Sequence, residues 1–238
     1  MHPPDLAHHT KKLHMSRSTT QTFNCPCGTE FTGQLYEYIN AVDDPQLRYI
    51  ILAGLVNVST CPNCGRKMAI STPFIYSDPA YNLLIYVHPR ADTPEEARLL
   101  ILEKLRSVYM DANKLKDQPA EGEQQVAGSD GSIGDRTINL THSQATELPP
   151  LKVVFGLEQF TDLLNSVLSP EDKLGRLAMS TQSRNTAERA QFHIIAKKLA
   201  TEMECFIDVE DMPDEYTVWI YGSRRQVGAL MRELAPRG

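Results

Sequence analysis

The apolar positions of the chain change period repeatedly, and each change predicts an element. Residues 31–42 are rich in Tyr and Ile (Tyr36, Tyr38, Ile39) and read as a strand. Asp43-Asp44-Pro45 follows, a carboxylate cap with proline in the first turn, and Leu47, Ile50, Ile51 and Leu55 then line one face of a helix. Val56, Val58 and Thr60 alternate as a strand, and 67–72 and 81–87 read as two more, separated by a Ser77-Asp78-Pro79 turn. Thr93-Pro94-Glu95-Glu96 is a capping box. The helix it opens carries Leu99, Leu102, Leu105, Val108 and Tyr109 on one stripe, which predicts packing on a sheet or a partner helix.

The pattern stops at 117–150, where Gly, Gln and Ser dominate and clustered apolar residues are missing. Such a stretch buries too little surface to offset its ordering entropy and reads as a flexible linker. Periodicity resumes with a short strand at 151–155 and a helix bearing Leu157, Phe160, Leu163, Leu164, Val167 and Leu168. Ser169-Pro170-Glu171-Asp172 repeats the cap-plus-proline signal and predicts a second helix through Leu174, Leu177 and Ala178. Asn185 with Glu188 caps a third helix, lined by Phe192, Ile195, Leu199 and Met203. Cys205, Ile207 and Val209 alternate as a strand that turns at 211–214 into another at 216–221. Gly222-Ser223 then caps a last helix with Val227, Leu230, Met231 and Leu234. The expected organisation is a disordered tail at 1–19, a β-rich unit with helices at 20–116, a linker at 117–150 and a small α+β domain at 151–238.

Composition narrows the possible functions. The 238 residues are 41% hydrophobic and 23% charged, ordinary for a globular protein. A net charge of −6 disfavours nucleic acid as a partner and leaves a protein partner as the expectation. No apolar run reaches the roughly 18 residues that cross a bilayer. The N-terminus has no apolar stretch of the signal-peptide kind, so a cytoplasmic location and no membrane association are expected. His8, His9 and His14 read as part of a solvated tail, and Met15 is an alternative start.

Five cysteines without an export signal point to reduced, metal-bound thiols rather than disulfides. Cys25-Pro26-Cys27-Gly28 and Cys61-Pro62-Asn63-Cys64-Gly65 share one design. Proline pre-sets a tight turn, and the glycine after the second cysteine tolerates positive φ and lets backbone N–H groups approach the sulfurs. Two such turns brought together make a Cys₄ metal site from Cys25, Cys27, Cys61 and Cys64. Zinc is the favoured ion, and iron in a rubredoxin-like site is its competitor. Four thiolates leave no open coordination position, so the site reads as structural rather than catalytic. A redox dithiol at Cys61/Cys64 is the alternative.

From about Phe23 to Pro89 the chain resembles the CpXC domain of bacteria and archaea. The resemblance rests on FNCPCGTEF, FTGQLYEYINAV, DDPQLRYIILAGLVNVSTCPNCG and TPFIYSDPAYNLLIYVHP, with a helix ending near Leu55 that leads into the second cysteine pair. Of the two C-P-x-C motifs that name the family, the second is intact, while the first has lost its spacer and reads Cys25-Pro26-Cys27. The resemblance implies a four-cysteine, metal-binding, zinc-ribbon-like domain and no particular activity.

Other features are weaker. Ser223, Arg224 and Arg225 at a helix N-terminus form a candidate anion site, set against an ordinary N-cap with solvated arginines. Glu210, Asp211, Asp214 and Glu215 read as a solvated turn, Cys205 as a core thiol and His193 as a packed or surface histidine. Trp219 and Tyr221 share a strand face that is either a partner surface or covered by a helix. No Ser-His-Asp set, P-loop or dinucleotide fingerprint is present. The expected function is a zinc-stabilised, non-catalytic interaction or regulatory protein. A thiol redox enzyme and a nucleic-acid-binding zinc protein are the alternatives.

Overall fold

The computed structural model describes residues 15–116 and 149–235, so the tail before Met15 and nearly all of the expected linker lie outside the described residues. The architecture is mixed α+β. A five-stranded sheet is built from β1 (Arg17–Asn24), β2 (Glu30–Asn40), β5 (Phe74–Asp78), β6 (Leu83–His88) and β7 (Leu151–Phe155), in the order β1-β2-β5-β6-β7. β1–β2 and β5–β6 are antiparallel, whereas β2–β5 and β6–β7 are parallel. A short second hairpin, β3 (Val58–Thr60) and β4 (Lys67–Ala69), stands beside β2.

Alternation sets the two faces of the large sheet. Phe74 and Tyr76 on β5, Leu83, Ile85 and Val87 on β6, and Val154 on β7 point to one side. There α1 (Pro45–Leu52) and α3 (Leu157–Val167) close over them with Leu47, Ile51, Phe160 and Leu164. Phe160 is fully buried and meets Phe74 and Tyr76 edge-on, with ring centroids 5.7 and 5.3 Å apart. α2 (Glu95–Lys116) lies on the opposite side at the β7 edge, where Leu105 and Tyr109 face Leu151 and Val153 and the Tyr109 hydroxyl donates to the Pro149 carbonyl at 3.2 Å.

The sheet and its core therefore cross the boundary expected at 150. β7 and α3, assigned from the sequence to a second unit, complete the first one. The remaining strands, β8 (Leu174–Thr181), β9 (Phe206–Asp211) and β10 (Tyr216–Ser223), form an antiparallel sheet in the order β8-β10-β9. α4 (Thr186–Glu202) and α5 (Arg224–Leu234) cover one face through Ala196, Ala200, Val227 and Leu230, packed against Val218 and Ile220. The other face turns toward α1.

Four expectations change. β1 starts at Arg17, inside the expected tail. Phe74–Asp78 is a strand of its own, and the break follows it in a short 3-10 turn at Pro79–Tyr81. The helix predicted after Ser169-Pro170 is the strand β8, because Leu177, Met179 and Thr181 alternate at period two and pair with β10, while Ser169 and Asp172 close a turn by an N–H···O bond of 3.1 Å. A proline after a serine starts turns as well as helices. Finally, the apolar stripe of α2 is only partly covered: Leu105 and Tyr109 face β7, but Leu99, Leu102 and Val108 are exposed.

Candidate metal centre

Both cysteine pairs sit at hairpin tips, and the backbone shows how the shortened motif is absorbed. In the first turn the Cys25 N–H donates to the Thr29 carbonyl and the Gly28 N–H returns to the Cys25 carbonyl, both at 2.9 Å. In the second, Cys61 N–H donates to Arg66 and Gly65 N–H returns to Cys61, again both at 2.9 Å. Gly28 and Gly65 adopt φ of 87° and 69°, the left-handed conformation each turn needs. The second turn closes from residue i+4 and the first from i+3. Losing the spacer converts an α-turn into a β-turn and leaves the flanking bonds intact.

The hairpins are clasped to each other by Asn57, which the sequence reading did not single out. Buried and left-handed (φ 56°), it accepts from the Tyr36 N–H at 2.7 Å and donates to the Tyr36 carbonyl at 3.2 Å. This mimics a strand pair with side-chain atoms. The Phe23–Phe31 stack at 5.2 Å lies at the base of the first turn, and a Lys67–Asp208 ion pair ties β4 to β9.

As a result the four Sγ atoms lie within 4.8 Å of one another, with Cys25–Cys64 at 3.5 Å and Cys27–Cys61 at 3.7 Å. A tetrahedral site with metal–sulfur bonds of about 2.3 Å has sulfur–sulfur edges of about 3.8 Å, so the quartet fits one ion. Cys25 and Cys61 are buried, whereas Cys27 and Cys64 form the outer side. The Thr29 hydroxyl lies 3.3 Å from Cys27 Sγ, and the Asn63 side-chain amide points to the same sulfur at 3.7 Å.

The protonation of these thiols is uneven. The Thr29 hydroxyl and backbone N–H, with help from Cys25 and Asn63, pull Cys27 down to about 5. At Cys25 the Cys27 N–H favours the thiolate, but burial and the surrounding sulfurs outweigh it and push the thiol up to about 12. Four thiolates this close repel one another, and a cation is what lets all four ionise together. The four cysteines could hold a metal ion.

The other sequence candidates do not assemble into a site. Ser223 caps α5 in a complete capping box with Gln226. The Arg224 and Arg225 N–H groups donate to the Lys173 and Glu171 carbonyls at 2.9 and 3.2 Å, and the Arg225 side chain reaches Asp172 at 3.7 Å. The backbone N–H groups of Ser223, Arg224 and Arg225 that an anion would need are already used within the chain. Of the acidic turn, Asp211 and Asp214 pair with Arg189 and Arg184. His193 Nδ1 lies 2.9 Å from the Tyr216 hydroxyl. Cys205 is buried, with its thiol pushed up to about 11 chiefly by that burial. Trp219 and Tyr221 are half-buried, with Arg176 over the indole.

A polar cluster gave no periodic signal in the sequence. Asp78, fully buried, accepts from Arg48 Nη2 at 2.6 Å, Arg48 Nε at 3.0 Å and the Tyr76 hydroxyl at 2.8 Å, all on Oδ2. Arg48 also lies over the Tyr81 ring, whose hydroxyl donates to Asp172 at 2.8 Å. The cluster thus links α1, β5 and the turn before β8.

Among the described residues no helix is long and apolar enough to cross a membrane. No curated protein and no solved structure matches the chain. A family model described as CpXC protein matches residues 23–164, a stretch that begins in β1 at the cysteine knuckle and runs through β7 into α3. That span covers more than half of the 238 residues and follows the five-stranded sheet across residue 150, and the chain belongs to the CpXC family.

Proposed function

We propose that Cys25, Cys27, Cys61 and Cys64 hold one structural zinc ion, and that the protein is a non-catalytic interaction or regulatory module that works through a protein partner. The observation that carries this reading is the closed set of four thiols at tetrahedral spacing, held by two matched turns. Zinc needs no further ligand in such a site and has no open position for substrate or water. The zinc would brace two hairpin tips that have little apolar core of their own. The full-length chain has no basic surplus to favour nucleic acid, since its net charge is −6.

The redox alternative at Cys61/Cys64 finds less support, because the two thiols stand in one quartet with Cys25 and Cys27 rather than as an isolated pair. Elemental analysis of the purified full chain tests the proposal. One zinc per chain, lost in a Cys61→Ser variant, is the expected result. Iron with a red absorbance, or no stoichiometric metal in folded protein, overturns the zinc assignment. An accessible low-pKa pair at Cys61 and Cys64 in folded, metal-free protein would favour the enzyme.

A further inference from the structure

α2 is 22 residues long, about 33 Å, and among the described residues it meets the large sheet on one flank, through Leu105, Tyr109 and Arg98. Leu99, Leu100, Leu102, Val108 and Met110 are all exposed, by 41 to 67%. A stable monomer rarely leaves so much aliphatic surface on one element.

The outward residues of this helix are ordered in a particular way. Leu99, Glu103, Arg106 and Met110 follow at spacings of four, three and four, which places them on one narrow seam. All four are exposed, and neither Glu103 nor Arg106 forms an ion pair among the described residues. The seam is complementary to itself when reversed. An antiparallel second helix that sets its Arg106 opposite Glu103 also sets its Met110 opposite Leu99, and the two-fold axis repeats both pairings. The order apolar, acidic, basic, apolar is what an isologous interface requires, since each residue must meet the partner of its own partner. Leu102 extends the apolar strip on the flank, at the rim of a groove of about 400 Å³ that Leu105, Tyr109, Leu151 and Val153 also line.

We propose that α2 is a homodimer interface, in which two copies of this chain pair α2 antiparallel through Leu99, Glu103, Arg106 and Met110. The proposal is independent of the metal and of the function suggested above. One helix pair with its flanks buries on the order of 1,200 Å², the lower end of stable interfaces, so the dimer is expected to dissociate in the micromolar range.

Sedimentation equilibrium of the full-length chain across that range is the test. The expected result is a species of twice the 26.7 kDa chain mass. Glu103→Arg alone and Arg106→Glu alone each place like charges opposite one another twice per dimer and should weaken association by about tenfold or more. The double variant Glu103→Arg/Arg106→Glu restores both pairings in reversed sense and should return the dissociation constant to within about threefold of the parent. Recovery in the double variant also shows that the single variants lost an interface and not the fold, which their circular dichroism checks separately. A monomer throughout, a dimer indifferent to either single change, or single changes that do not rescue each other would overturn the proposal.

Discussion

Replacing Arg48 by Met tests how α1 is held to the large sheet. The change leaves the Asp78 carboxylate, 0% exposed, with only the Tyr76 hydroxyl at 2.8 Å as a donor. At an effective dielectric near 20, the attraction across the 2.6 Å contact is on the order of 4–6 kcal/mol, and the desolvation of two ions costs a similar amount. The intact pair is therefore close to neutral in net stability, while half of it is not. Arg48→Met should cost about 3–5 kcal/mol, the range for one charge left alone in a buried site. The combined variant Arg48→Met/Tyr76→Phe/Asp78→Leu removes all the polar groups together and should return to within about 2 kcal/mol of the parent, or exceed it. Urea unfolding followed by the fluorescence of Trp219, the single tryptophan, gives both numbers when every variant is kept in the same excess of zinc. A loss below about 1 kcal/mol for the single change, or a combined variant no more stable than the single one, would refute the reasoning.

Phe160→Ala should cost about 3–5 kcal/mol in the same melts and shift the large sheet, since the ring fills the core between Phe74 and Tyr76; a loss confined to a separately melting C-terminal unit would contradict the shared core. Gly65→Ala meets no neighbouring atom but keeps φ near 69°, so about 1–2 kcal/mol of backbone strain should appear as roughly tenfold weaker zinc binding in competition with a chromogenic chelator. Cys205 should resist alkylation at neutral pH in folded, metal-loaded protein. Its folded value near 11 lies above the ordinary 9, so the stability it contributes is complete below pH 9 and is lost as the pH rises toward 11, which alkaline denaturation of a Cys205→Ala variant would show by a flatter profile across that window.

Most of the local structure was legible because it is written in short-range chemistry. Asn185 caps α4 by accepting from the Ala187 and Glu188 N–H groups, and Ser223 caps α5 with Gln226, both at positions where the sequence signals a helix start. The cysteine turns were legible for the same reason, since Pro and Gly mark them within five residues. What failed to show needs partners far apart in the chain. β7 joins β6 from beyond a long polar segment, and nothing in the run Leu-Lys-Val-Val-Phe says which sheet it will extend. Ser169-Pro170 gave the wrong element because a turn and a helix start use the same two residues. Asn57 and the Arg48–Asp78 pair had no periodic signature at all, because each acts once and across elements. The cysteine quartet could thus be read from the sequence, whereas the clasp that aims its sulfurs at one point could not.

The placement of β7 also has a consequence in time. His88 ends β6, and Leu151, which begins its parallel neighbour, leaves the ribosome many residues later. At about 5–20 residues per second, an interval of several seconds separates a finished β6 from the strand and helix that cover it. During that interval Ile85 and Val87 face a core that lacks Phe160 and Leu164, and one edge of β6 has no strand to pair with. The nascent chain must pass this stage without joining another copy. The cysteine quartet, complete once Cys64 has emerged, and the Asn57–Tyr36 clasp beside it both lie within the part of the chain already made when that interval begins.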